Sequence, residues 1–371
     1  MRILLIGEYS NVHWTLAEGL RQRGHQVTVI SNGDFWKDYP RDIDVSRQPG
    51  KLGGLRLLAR ILALLPRLRG YDVVQFINPM FLELKAERLF PVYRYLRQHN
   101  RIAILGAFGM DYYWAAVNTD ERPLRYSDFN IGDTIRHDET AERERQDWIG
   151  TPKERLNRMM AEDCDAIVSG LYEYHATYTL KYPAKTRFIP FPIKPQKGVG
   201  TEEETERLPL KLFVGISRGR SAYKGTDIML RAAQDIQKKY ADRVELRVAE
   251  GVPFEEYRKM MDGADAILDQ LYSYTPSMNS LLAMSKGIIC IGGGEQENYD
   301  ILGEQELRPI INVQPHYQSV YDELERLILH PEAISRLKRE SIEYVSRHHD
   351  YLKVAQQYEL LYKELADNKA K

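Results

Sequence analysis

The chain is predicted to be α/β, with two doubly wound parallel-sheet domains, and three features of the sequence lead there. At 371 residues it is longer than one hydrophobic core usually covers. From the first residues onward, short continuous apolar runs alternate with stretches of helical periodicity. A polar segment, residues 194–208 (KPQKGVGTEEETERL), carries Pro, Gly and a glutamate run without apolar periodicity and divides two such series.

The first series opens with Arg2 to Ile6, an apolar run closed by Gly7. Residues 14–23 have helical spacing, Gly24-His25 breaks it, and Gln26 to Ser31 is β-branched, which makes one β-α-β unit. Continuous rather than alternating apolar strands belong to parallel sheets covered on both faces, whose ligands gather at the carboxyl ends of the strands. Residues 72–77, 101–105, 166–168 and 187–190 continue the pattern to a boundary at residue 193. The second series has strands at 210–215, 244–249, 266–268, 287–291 and 309–313, with helices at 225–240, 254–262 and 277–286. The expected division is 1–193, a linker at 194–208, a second domain at 209–345, and a final helical segment at 346–371. Leu352, Ala355, Tyr358, Leu361, Tyr362 and Leu365 form an apolar stripe on that last segment.

Composition narrows the function. A hydrophobic fraction of 43% with 28% charged residues is that of a folded globular chain. A net charge of −1 gives no whole-molecule attraction to nucleic acid, and no basic stripe with interleaved aromatics appears. Cys164 and Cys290 are far apart and lack metal-ligand spacing, so neither a disulfide framework nor a zinc site is expected, and a reducing cytoplasm fits. The N-terminal apolar run is too short for a signal peptide, and no stretch approaches the ~20 apolar residues that span a bilayer.

Chemistry is concentrated after two strands of the second series. Val214 to Gly225 places Arg218, Arg220 and Lys224 around a glycine-bearing turn that opens a helix. Fixed cations there suit a diphosphate leaving group, on which negative charge grows as a glycosidic bond breaks, with Arg218 clamping oxygens and Lys224 acting as a point charge. A solvated basic loop has the same pattern. Leu271 to Ser280 then offers Thr275 or Ser277 as a helix N-cap, with the amides of Ser277, Met278 and Asn279 as an anion site. A well-capped structural helix reads identically.

The order of these motifs resembles glycosyltransferase family 4 and its GT-B relatives: Arg218, Lys224 and Gly225, then Glu250-Gly251, then Gly263-Ala264-Asp265, then an LxAMxxG helix from Leu281 to Gly287. The resemblance implies a GT-B fold in which Arg218 and Lys224 bind the donor diphosphate with the amides around Ser277 to Asn279. It places Glu250 and Gly251 beside the nucleobase, and has the last helix pack back on the first domain. It further implies a retaining reaction without bound metal or other cofactor. The family's two glutamates, separated by seven intervening residues, are replaced by Tyr274 and Leu282, and leucine cannot accept a ribose hydroxyl hydrogen bond. Ribose recognition is then expected from Glu295, Glu297 or Asn298, or the donor site is altered or inactive.

In the first series, Gly7 ends a strand before a helix and His13 follows, either at the site or packed beneath it. Leu105 to Asp111 resembles the family's HGxD segment with Phe108 in the histidine's place, and Asp111 would orient the acceptor hydroxyl or cap a helix. Residues 112–150 form a long polar and aromatic segment in which Tyr112 and Trp114 are candidates for stacking on the acceptor, with core packing as the alternative. Residues 51–69 carry Lys51, Arg56, Arg60, Arg67 and Arg69 without an acid among many leucines, suited either to an anionic bilayer surface or to packing on the sheet with snorkelling arginines.

The expected function is transfer of a hexosyl group from a nucleotide diphosphate sugar to a saccharide or lipid-linked acceptor held between the domains. It would serve surface polysaccharide or glycolipid synthesis, in the cytoplasm or at the inner face of the cell membrane. A GT-B nucleotide-sugar 2-epimerase and a catalytically degenerate binding homologue are the alternatives, the latter favoured by Tyr274, Leu282 and Phe108.

Overall fold

The computed structural model describes residues 1–195, 209–217 and 219–369. Residues 196–208 of the expected linker, and Arg218, lie outside the described residues.

Strands β1 (Arg2–Ile6), β2 (Gln26–Ser31), β3 (Ile43–Asp44), β4 (Val73–Phe76), β5 (Ile102–Ala107), β6 (Asn130–Ile131), β7 (Thr134–Ile135), β8 (Ala166–Ser169) and β9 (Thr186–Phe188) are followed, beyond residue 208, by β10 (Leu210–Ile216), β11 (Val244–Glu250), β12 (Ala266–Leu268), β13 (Ile289–Gly292) and β14 (Ile311–Asn312). They form a seven-stranded sheet in the order β3-β2-β1-β4-β5-β8-β9, a five-stranded sheet in the order β11-β10-β12-β13-β14, and the small antiparallel pair β6-β7. Both large sheets are parallel throughout. Central strands β4, β5 and β8 are buried along their whole length, which is why they are predominantly apolar, with Gln75 on β4 buried and hydrogen-bonded.

The chain divides into two compact units. The first comprises Met1–Pro123, Glu144–Pro192 and Tyr351–Lys371; the second comprises Leu124–Arg143 and Ile193–Asp350. Residues 124–143, expected within the first domain, therefore group with the second. Helices α1 (Val12–Gln22), α2 (Gly53–Leu64), α3 (Ala86–His99), α4 (Tyr112–Asp120), α6 (Pro152–Asp163) and α7 (Tyr172–Lys181) lie between the strands of the first sheet, and α5 (Glu139–Trp148) is divided, with residues 139–143 in the second unit and the rest in the first. Helices α8 (Ser221–Lys224), α9 (Thr226–Lys239), α10 (Phe254–Met261), α11 (Met278–Met284), α12 (Gln296–Leu302), α13 (Tyr317–Leu329) and α14 (Glu332–His348) serve the second, and α15 (Tyr351–Asn368) returns to the first unit.

Helix α15 packs on α1 at close range. A Cβ at Gly19 would lie 2.6 Å from the Tyr351 carbonyl oxygen and 2.8 Å from the Ala355 Cβ, so only glycine admits this approach. The buried face of α15 is Val354, Ala355, Tyr358, Leu361, Tyr362 and Ala366, while Leu352 and Leu365 flank it half-buried. The expected stripe is thus rotated slightly, because the contact is centred on Gly19 rather than on the largest apolar residues. The Tyr362 hydroxyl donates to Gln75 Oε1 on β4 at 3.0 Å, tying the helix to the centre of the sheet.

Candidate functional site

In an open parallel sheet the carboxyl ends of the strands form a crevice where the strand order reverses. In the second unit that reversal falls between β10 and β12, and both motifs singled out in its sequence follow those two strands. The turn after β10 runs through Gly219, with φ 72°, and Arg220 into the one-turn helix α8, and ends at Gly225, with φ 71°, before α9. Gly225 is required twice over. Its backbone is left-handed, and an added Cβ would lie 2.5 Å from the Leu271 Cβ. The Leu271 amide donates to the Lys224 carbonyl at 3.0 Å, so the loops after β10 and β12 are joined through the backbone beneath the lysine. Lys224 itself is half-buried.

After β12, Asp269 accepts from the Ser277 amide at 2.8 Å and from the Ser277 hydroxyl at 2.7 Å. Ser277 caps α11 by accepting from the Ser280 amide. The expected anion site is corrected here: the Ser277 amide is already held by a carboxylate, which leaves the first-turn amides of Met278 and Asn279 as the helix-end donors. The Asn279 side chain donates to the Tyr257 hydroxyl at 2.6 Å. Thr275 is buried, its amide and carbonyl both bonded to the Ser273 hydroxyl. Glu250 and Gly251 are exposed at the end of β11, where Glu250 is in register with Ile216.

The candidates for ribose recognition are engaged within the second unit. Glu295 Oε1 accepts from the Tyr126 hydroxyl at 2.6 Å, Gln314 Nε2 at 2.7 Å and Asn312 Nδ2 at 3.0 Å, and its Oε2 accepts from Arg125 at 2.8 Å. Burial alone would raise the Glu295 carboxyl, but these donors outweigh it and hold it below the usual range. Glu297 is ion-paired with Arg125, and Asn298 donates to the Tyr344 hydroxyl. Tyr274, where the resemblance expects a glutamate, stacks on Tyr126 with ring centroids 4.7 Å apart and lies under the Arg125 guanidinium.

Arg125 and Tyr126 belong to a strap, residues 124–143, that also grips the turn after β10. Arg136 lies over the Tyr272 ring at 3.6 Å and donates to the carbonyls of Ala222 at 2.8 Å and Tyr223 at 3.1 Å, the open C-terminal end of α8. Thr140 donates to the Gly219 carbonyl at 2.9 Å. No periodicity marks Arg125, Tyr126, Arg136 or Thr140. The one sequence signal was the length and aromatic content of residues 112–150.

In the first unit the strand order reverses between β1 and β4. A chamber of about 320 Å³ opens there, lined by Gly7, Glu8 and Tyr9 after β1, by Ile77 after β4 and by Met110 after β5. A second cavity, of about 480 Å³, shares Phe35, Met80, Glu83, Leu84, Asp147 and Lys153 with it. Gly7, with φ 86°, permits the turn, since an added Cβ would lie 2.2 Å from Ile77 Cγ2. Glu8 is buried in the chamber wall, and its carboxylate accepts from the amides of His13 at 3.2 Å and Trp14 at 2.9 Å, the start of α1. Burial pushes its pKa up to about 8 against those amides.

The other acceptor candidates lie in the interior of this unit and line neither cavity. His13 is fully buried, with Nδ1 2.8 Å from the Gly7 carbonyl oxygen and Nε2 3.2 Å from the Gln75 amide nitrogen, and burial lowers its pKa to about 3. Asp111 caps α4, accepting from the Trp114 amide at 2.8 Å and from the Tyr178 hydroxyl at 2.7 Å. Burial raises its pKa to about 6. Tyr112 is buried under Arg158, and Trp114 packs on Tyr174 at 4.9 Å. The packing alternatives describe these side chains as they stand.

Two sheets of this build define the GT-B class. Across its whole length the chain is similar to sucrose-phosphate synthase from Thermosynechococcus elongatus, at a TM-score of 0.61 and 15% identity, covering 98% of this chain and 99% of that one. HepE of Anabaena, solved in complex with UDP and glucose, gives 0.59 and 12%, covering 98% and 100%. A protein assigned as a UDP-N-acetylglucosamine 2-epimerase from Listeria monocytogenes gives 0.51 and 10%, covering 96% and 94%. No protein-family model matches the chain, and no curated protein matches its sequence.

Proposed function

We propose that the chain is a glycosyltransferase that moves a hexosyl group from a nucleotide diphosphate sugar to a saccharide or lipid-linked acceptor. The observation that carries this reading is the turn between β10 and α9. It presents Lys224 at the reversal point of the second sheet, on a backbone that Gly225 alone permits. A fixed cation there offsets charge growing on a departing diphosphate, with Arg218 as the second cation. Full-length likeness to sucrose-phosphate synthase and to a UDP-binding protein supports the reading. The retaining outcome and the kinship with family 4 rest on the ordered motifs. Thermal unfolding with UDP-, GDP-, CMP- and TDP-sugars tests it: stabilisation by one nucleotide class, lost in Lys224→Ala and Arg218→Ala, is expected. No shift with any of them would overturn it.

Peripheral membrane contact belongs to the same proposal. Helix α2 buries Gly53, Leu57 and Ile61, while Leu52, Leu55 and Leu62 are exposed beside Arg56 and Arg60. Apolar and cationic side chains sharing an outward surface suit an anionic bilayer. Among the described residues no helix is long and apolar enough to cross a membrane. Cosedimentation with anionic but not zwitterionic vesicles, abolished by R56E/R60E, is the expected result.

A second reading, a binding homologue without turnover, is favoured by one observation: Tyr274 occupies a glutamate's position and is covered by Tyr126 and Arg125. Donor binding without product across a broad acceptor panel would select it.

A further inference from the structure

The chamber in the first unit has a chemistry of its own, and it bears on what the acceptor is. Its wall is largely apolar: Val45, Ile77, Phe81, Leu82, Leu84 and Met110 all line it. Its ionised groups are Glu83, Glu144 and Asp147 against Lys153, so carboxylates are in excess, while Glu8, whose pKa burial raises to about 8, lines it as a carboxyl that keeps its proton near neutral pH. Lys153 is already ion-paired with Asp147. The adjoining outer cavity is balanced, with Arg47, Lys85 and Lys153 against Glu83, Glu87 and Asp147. At the join stands Phe35, 60% exposed, in a left-handed turn with φ 58° that follows Asp34, also left-handed. A non-glycine pair held in that conformation is strained, and here it projects an aromatic ring where both cavities meet.

We infer that this chamber selects an acceptor free of negative charge: a hydroxylated ring, neutral or amine-bearing, lying against Phe35 with its hydroxyls turned to the carboxylates. Apolar walls with a few convergent polar groups are the make-up of ligand sites, and a volume of about 320 Å³ falls within their range of roughly 300–1,000 Å³. Carboxylates accept hydroxyl and ammonium hydrogen bonds, but repel a phosphate or uronate brought beside them. Inside the chamber a phosphorylated acceptor would meet Glu83 and Asp147, and the one cation of its lining, Lys153, is already held by Asp147. The inference rests on the glycosyl-transfer reading for the word acceptor; the selectivity itself is a property of the chamber.

The test is saturation-transfer NMR and calorimetry on the full chain without donor, using methyl glucoside, methyl glucosaminide, glucose 6-phosphate and methyl glucuronide. The first two should bind and the anionic pair should bind at least tenfold more weakly. Phe35→Ala should weaken binding of the neutral ring several-fold with an unchanged unfolding midpoint, because the side chain is exposed. Glu83→Lys should move the preference toward the phosphate by tenfold or more. Equal or tighter binding of glucose 6-phosphate to the parent chain would overturn the inference, as would binding indifferent to both substitutions. Nucleotide-sugar stabilisation measured on the same sample separates the two readings. Donor binding with no chamber selectivity sinks this inference and leaves glycosyl transfer standing. Selective sugar binding with no donor response supports the chamber and sinks the transfer.

Discussion

The Tyr126 hydroxyl donates to Glu295 Oε1 at 2.6 Å, and the two rings of Tyr126 and Tyr274 stack beside that bond. A residue from the strap 124–143 thus closes the polar loop that opens α12, and the carboxylate it meets is one-tenth exposed. Removing the hydroxyl leaves Glu295 with Arg125, Asn312 and Gln314, so its desolvation is partly uncompensated. Tyr126→Phe should destabilise the second unit by about 1.5–3 kcal/mol, the cost of one hydrogen bond to a charged group. In thermal unfolding that is a fall of roughly 2–4 °C per kcal/mol, and an unchanged midpoint would show the bond to be dispensable.

Glu8 makes the stability of the folded chain fall as pH rises toward 8. Its folded pKa of about 8 lies above the ordinary 4.5, so the folded state binds the proton more tightly than the unfolded state does. Stability from this group is therefore fully present below pH 4.5 and is lost as pH rises through about 8. His13, lowered to about 3 from 6.5, and Asp111, raised to about 6 from 3.8, complete their contributions below pH 6.5. Between pH 6.5 and 8 the parent should lose stability relative to Glu8→Gln with a slope of up to about 1.4 kcal/mol per pH unit. Parallel denaturant curves across that window would contradict the assignment.

Gly19→Ala should be disruptive although alanine favours helices. The new methyl would meet the Tyr351 carbonyl oxygen at 2.6 Å, a backbone atom that moves only with α15. Overpacking of this kind costs about 1–3 kcal/mol. Hydrogen exchange should report it as loss of protection in α15 and α1, with the second unit unaffected.

Lys224 separates charge from geometry. Lys224→Ala should weaken nucleotide-sugar binding about ten- to a hundredfold, the loss of one charged contact. Gly225→Ala should lower stability as well, because its φ is 71° and its Cβ would meet Leu271. If both substitutions changed only stability, the turn would be structural.

The alternation of strands and helices, the two sheets, and the turns after β1, β10 and β12 are legible in the amino-acid sequence. Buried parallel strands are predominantly apolar, and their loops carry punctuating glycines, so these features are local and leave a trace at short range. Gly7 and Gly225 were legible for the same reason: a left-handed turn needs glycine wherever the rest of the chain goes.

Which polar side chains face one another is settled by long-range packing in the folded chain. His13, Asp111, Tyr112 and Trp114 have residue types suited to a site, yet each is buried among partners that its neighbours in sequence do not reveal, such as Gln75, Tyr178, Asn157 and Tyr174. Glu8 looks like any acid after a strand, and its place in the chamber wall comes from loops contributed by β4, β5 and α5. Residues 124–143 join the second unit because Arg136 and Arg125 find carbonyls and carboxylates more than eighty residues away in sequence. Pairings at that separation are set by burial and charge in the folded chain, and a single sequence carries no periodic signal for them.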